Sequence, residues 1–168
     1  ANKMPEYEEQ IKRGETKIVR FFTVWKIIRD TMKKYNIDTI AAYNCNFDRN
    51  ALNNTIRYLT KSEYRWFFPY NTKYMCIWHM ACQVIYTQKT FQKWAKKNSF
   101  VSASGNIRTS AEIGHRYYTG NTNFQEEHKG LQDVIIECGI MAKCFAQHKS
   151  MKRGINRLCW KIPQKVTA

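Results

Sequence analysis

Acid is scarce in this chain, which carries 13 Asp and Glu residues against 28 Lys and Arg, for a net charge of +15. A basic excess of that size favours polyanionic partners through electrostatics that carry no sequence information; a solvated basic surface is the plain alternative. Zinc-ribbon spacing is also absent, because none of the six cysteines (Cys45, Cys76, Cys82, Cys138, Cys144, Cys159) forms a C-x-x-C pair. Most of them lie in apolar segments and read as small core residues kept reduced in a cytoplasm. No apolar run is long enough to span a bilayer, no signal-peptide pattern opens the sequence, and there is neither an internal repeat nor a low-complexity linker. The expectation is a soluble, cytoplasmic protein without a membrane partner. What the chain has in quantity is apolar surface: 43% of 168 residues, 14% aromatic, enough for one folded domain with a core.

Periodicity divides the chain into alternating elements. Residues Ala1–Thr16 are charge-rich and end in a turn at Arg13-Gly14-Glu15. Phe21, Phe22, Val24, Trp25, Ile27, Ile28 and Met32 give the next stretch a wide apolar helical face, with Asn36 as a stop. Asp38–Tyr43 reads as a short strand covered on both faces, Arg49–Leu59 as a helix, Met75–Trp78 as a strand and Met80–Tyr86 as a helix. Tyr64–Tyr74 is an aromatic loop broken by Pro69, whose rings either stack on bases or fill the core. Thr90–Lys97 and Thr109–Tyr118 read as helices, the second with Thr109 or Ser110 as N-cap and Glu112 in the place of a capping-box acid; Ser102–Asn106 is a turn. Gln132–Gln147 is the last long helix. His79 and His115 fall inside helices as bonded partners. The segment from His148 carries Lys149, Lys152, Arg153, Arg157, Lys161 and Lys165 and no acid, so it suits phosphate contact.

Two stretches carry candidate chemistry. In Ile40–Leu52 (IAAYNCNFDRNAL) a strand turns through Asn44-Cys45-Asn46 and presents Asp48 at a helix entrance, the place where open α/β sheets bind ligands. In Glu126–Asp133 (EEHKGLQD) a base, His128, and a carboxylate, Asp133, precede the apolar helix Val134–Phe145. Two carboxylates with water suit Mg²⁺ or Mn²⁺, a pair of such ions serves in-line displacement at phosphorus, and a histidine near neutrality can take the proton from the attacking water. The bland readings are a helix cap for Asp48, and a surface histidine and a first-turn acid for His128 and Asp133.

AYNCNFDRNAL resembles the second motif of the DEDDh-type 3′–5′ exonucleases, a proofreading-exonuclease family with a ribonuclease H-like fold, with Asn44, Phe47, Asp48 and Leu52 in the motif positions. HKGLQDVIIE resembles the third motif, with His128 followed five residues later by Asp133, and the contexts SGNIRTSAE and FQEEHKGLQDV look like phage-encoded members. The resemblance implies an α/β, ribonuclease H-like exonuclease fold, helices packed on a mixed sheet, over residues 1–147, with 148–168 as a basic C-terminal tail. It implies catalytic Asp48, His128 and Asp133, of which Asp48 and Asp133 hold Mg²⁺ or Mn²⁺ in a two-ion site. Asn44 and Phe47 would support the terminal nucleotide, and Lys152, Arg153 and Arg157 are the candidate phosphate contacts. The substrate class is nucleic-acid 3′ ends, single-stranded DNA first, in a host cytoplasm if the gene is a phage's.

The family's first motif, Asp-x-Glu on its first strand, does not occur. Glu6-Tyr7-Glu8 is the nearest imitation, with Pro5 before it and charged neighbours around it. The expectation is therefore a partial exonuclease domain whose opening strands are missing. It would be inactive or weakly active unless complemented, with those strands supplied by a further chain segment, a second subunit or a second copy. A non-catalytic nucleic-acid-binding or assembly domain derived from the same scaffold is the alternative.

Overall fold

The computed structural model of the chain describes residues 4–165. Among these, eight helices and two strands follow in the order α1 (Met4–Lys12), α2 (Phe21–Lys34), β1 (Thr39–Ala42), α3 (Cys45–Thr60), β2 (Lys73–Cys76), α4 (Ile77–Val84), α5 (Lys89–Lys97), α6 (Ala111–Thr119), α7 (Gly130–Phe145) and α8 (Lys161–Gln164). The architecture is α/β. The strands run parallel, Thr39 opposite Lys73 through Ala42 opposite Cys76, and α3 lies in the crossover that parallel strands require. The mixed sheet expected from the sequence is, among the described residues, this two-stranded parallel ladder. The segment before β1 is helical: the charge-rich opening contains α1, and the amphipathic stretch forms α2.

The larger core is organised around α4. Ile77, Met80, Ala81, Cys82 and Val84 are buried, because an eight-residue helix that is apolar on nearly every side has to lie inside. Tyr86, Phe91, Ile113, Ile136, Ile140 and Cys144 close around it from the following helices. Gly114 on α6 allows a close approach, since a Cβ there would meet the Tyr86 hydroxyl at 2.5 Å. A smaller cluster joins Met32 of α2 and Ile56 of α3 to Phe67 and Phe68. It is tied by the Trp25 indole N–H donating to the Phe67 carbonyl at 2.8 Å and by the Phe67 N–H donating to Asn53 Oδ1 at 3.0 Å. The aromatic loop is thus divided: Phe67 and Phe68 are core, while Tyr64 and Tyr70 stand in solvent.

The basic segment from His148 is packed onto the domain over its described part. The Arg153 carbonyl accepts the Cys76 N–H at 2.7 Å, Gln83 and Lys152 exchange two hydrogen bonds, Cys159 is buried, and Gln164 brackets both backbone groups of Ile107 at 2.9 Å. Two local expectations change. Ser110 is the N-cap of α6, accepting from the Ile113 N–H. Glu112 is therefore one residue short of the capping-box position, and it pairs with Arg116 at 2.7 Å instead. His79 is buried with Nδ1 unbonded among the described residues, whereas His115 does bond the Tyr118 hydroxyl.

Candidate metal and nucleic-acid site

The site lies where β1 ends. Tyr43 anchors that end: its hydroxyl bonds the Tyr86 hydroxyl at 2.8 Å and donates to the Thr109 carbonyl. Asn44 then takes a left-handed backbone, φ 59°, a conformation that Asn adopts more readily than most side chains. That single reversal starts α3 at Cys45, four residues earlier than periodicity suggests. Asp48 is consequently in the first turn of α3, on its surface, where the helix dipole favours a negative charge. Partial desolvation nevertheless holds its carboxyl above the ordinary aspartate value. Phe47 projects from the same turn with 68% of its surface exposed, above a polar shelf of Asn46, Asn50 and Asn54.

The second half of the site comes from α7 and the irregular run before it. Glu126 is held by its backbone N–H, which donates to Glu112 Oε2 at 3.0 Å. His128 has a left-handed backbone, φ 51°, and its Nδ1 stands 3.7 Å from Glu126 Oε2. Asp133 lies in the first turn of α7, its N–H donating to the Lys129 carbonyl. Ligand atoms of Glu126, His128 and Asp133 all come within 4.8 Å of one another. Asp48 is not one of that trio.

Glu137 links the two halves. Four residues after Asp133, it shares that residue's face of α7, and its Oε2 accepts the Tyr43 N–H at 3.0 Å. Burial pushes its carboxyl up; the Tyr43 N–H works against this, and the charges of Asp48, Asp133 and Glu126 add to it. Glu126 is raised as well, by burial first and then by Asp133 and Glu112, with His128 opposing. Four acids therefore share one electrostatic neighbourhood. Glu126 and Glu137 open, with Tyr43, Asn44, Trp78, Thr109, Ser110 and Ala111, onto a cleft of about 440 Å³.

Sequence reading assigned roles to Asp48, His128 and Asp133 but none to Glu126 or Glu137. Glu137 had a visible signal, a lone acid in the apolar run Val134–Phe145, one helical turn from Asp133. Asn44 lines the cleft, and Phe47 lies close to it in sequence, in the first turn of α3. Lys152, Arg153 and Arg157 lie on the surface, and the Arg153 guanidinium sits 4.9 Å from the centre of the Phe145 ring. Among the described residues no helix is long and apolar enough to cross a membrane.

The donor set suits a hard divalent cation: carboxylate oxygens with one imidazole. Asp133 Oδ1 is buried and has no hydrogen-bond partner among the described residues. A carboxylate oxygen shut away without a donor is costly, and a cation would satisfy it. Set against protein-family models, curated proteins and solved structures, the chain matches none.

Proposed function

We propose that this chain is a partial, at most weakly active metal-dependent 3′–5′ exonuclease domain of the ribonuclease H-like type, hydrolysing phosphodiester bonds at single-stranded DNA 3′ ends and releasing nucleoside monophosphates. The observation that carries the reading is the trio Glu126, His128 and Asp133, whose ligand atoms lie within 4.8 Å of one another, with Asp133 Oδ1 buried and without a hydrogen-bond partner among the described residues. These carboxylates would hold Mg²⁺ or Mn²⁺, with Asp48 and Asp133 as the ligands that the motif resemblance names. Such ions, when bound, activate a water and stabilise the leaving oxygen of the displacement. The chain's own residues do the rest. His128 is exposed enough to reach a bound water and accept its proton, and its link to Glu126 orients the ring. Phe47 offers an exposed ring on which the terminal base can stack. Asn44 has no capping bond to its own helix, which leaves its amide for the nucleotide. Lys152, Arg153 and Arg157, in a chain of net charge +15, would take backbone phosphates.

Asp48 standing apart from the Glu126–His128–Asp133 trio favours a second reading, a nucleic-acid-binding domain that keeps the scaffold without the reaction. One experiment separates the two. A 5′-labelled single-stranded DNA is incubated with Mn²⁺ and the chain, its Asp48→Ala variant or its Asp133→Ala variant, while the melting temperature is followed with and without Mn²⁺. The nuclease reading expects a ladder shortening from the 3′ end, lost in both variants, and an Mn²⁺-dependent rise in melting temperature abolished in Asp133→Ala. DNA binding without degradation or Mn²⁺ stabilisation assigns the binding module.

A further inference from the structure

Two members of the metal trio, Glu126 and His128, stand on backbone that belongs to no helix or strand. A binding constellation works only when its groups are held to within about 0.5 Å, and an irregular run has no helical or sheet ladder to hold it so. Asp133 differs, because the first turn of α7 fixes it. What fixes Glu126 comes from α6.

Two side chains of α6, Glu112 and Arg116, grip that run at two points. Glu112 Oε2 accepts the Glu126 N–H at 3.0 Å. The Arg116 Nε–H donates to the Phe124 carbonyl at 2.6 Å. The two grips are joined, since Arg116 Nη2 and Glu112 Oε1 pair at 2.7 Å. Glu112 and Arg116 are one helical turn apart, so a single stiff face presents both. The pair is sheltered: 14% of the Arg116 side chain and 26% of the Glu112 side chain are exposed, and the guanidinium lies 5.2 Å from the centre of the Phe100 ring. Glu112 spends one oxygen on each partner, and Arg116 spends a different nitrogen on each. That division needs two forked groups; a lysine in place of Arg116 would concentrate its donors on one nitrogen.

We propose that Glu112 and Arg116 are positioning residues of the metal site. They set the backbone of residues 124–126 so that the Glu126 carboxylate, whose side chain is 11% exposed, meets Asp133 and His128. The proposal rests on the metal reading above and adds to it a support that touches neither metal nor substrate. Arg116 also offsets the charge of Glu112, so the clamp brings no net charge to the carboxylates it orients. Outer residues that orient metal ligands are typically worth about tenfold to a hundredfold in metal affinity. A pair that only tied α6 to the loop would be worth stability and nothing in affinity.

The test separates those two roles. Mn²⁺ uptake by the full chain is titrated without nucleic acid, following free Mn²⁺ by electron paramagnetic resonance, and the melting temperature is recorded metal-free. The variants are Arg116→Lys, Glu112→Ala and Glu112→Gln, each shown to be folded by circular dichroism at the titration temperature. Arg116→Lys and Glu112→Ala are expected to bind Mn²⁺ at least tenfold more weakly than the parent. Glu112→Gln, whose amide oxygen can still accept the Glu126 N–H, should recover part of what Glu112→Ala loses, although both lack the ion pair. Unchanged affinity in the folded variants, whatever their melting temperatures, would overturn the proposal and leave the metal reading standing. Equal weakening in the two Glu112 variants would overturn it in favour of a charge effect. A parent chain that takes up no Mn²⁺ would overturn the metal reading and this proposal with it.

Discussion

The two apolar clusters of this chain are closed to different degrees. Around α4 sixteen buried residues from four helices, their connections and the C-terminal segment pack together, and Tyr43 joins them through hydrogen bonds to the Tyr86 hydroxyl and the Thr109 carbonyl. Around α2 the buried apolar cluster among the described residues is Met32, Ile56, Phe67 and Phe68, while Phe22, Val24 and Ile27 of the same helix are exposed. The difference is one of depth. One half has a deep interior and the other a shallow one, and each leaves a helix face in solvent, α7 with Leu131 and Ile135 in the first and α2 with Ile27 in the second.

The largest effect should separate the halves directly. Ile140→Ala, at a fully buried position, should cost about 2–5 kcal/mol, whereas Ile27→Ala in the open half should stay within about 0.5 kcal/mol; urea unfolding of the two variants measures both. Equal losses would mean that the α2 face is covered in solution. Next comes Asn53→Ala, which leaves the Phe67 N–H buried without its acceptor and should cost about 1–3 kcal/mol. If it costs nothing, the smaller cluster is loose. Ser110→Ala removes the cap of α6 in the closed half and should cost about 1 kcal/mol, read from the shift of the thermal midpoint.

The smallest effect is one of sign. Asp48, Glu126 and Glu137 all have carboxyls raised in the folded chain, chiefly by burial. Ionising them is therefore harder folded than unfolded. Their contribution is fully present below the unfolded carboxylate range, from about pH 4 downward, and declines as pH rises through the raised values. Metal-free chain should lose stability from these groups towards neutral pH, and Glu137→Gln should flatten that slope in urea titrations across the acid range. An unchanged slope would mean that Glu137 is not desolvated as described.

Much of this was legible because it is periodic. The amphipathic pattern of 21–34, the apolar strand at β1 and the length of α7 all follow from side-chain spacing, and the turn at Ser102–Asn106 is spanned by a bridge between Val101 and Ile107. What spacing could not show depends on long-range neighbours. Helix α1 buries no residue, so no apolar stripe announced it; an ion pair between Glu6 and Lys129 ties it down from far along the chain. Glu137 became a site residue only because the Tyr43 N–H happens to point at it. The split of the aromatic loop into core Phe67 and exposed Tyr70 depended on where Asn53 places its acceptor.

The left-handed turn at Asn44 bears on how the motif itself should be read. A backbone at φ 59° admits Asn, Gly or Asp with little strain and penalises branched side chains. Saturation mutagenesis at this one position would distinguish architecture from chemistry. Glycine would preserve the chain reversal and erase the amide, so a variant that melts like the parent yet loses its grip on a DNA end would show the asparagine serving the ligand. If glycine preserves both, the asparagine at position 44 is there to bend the chain.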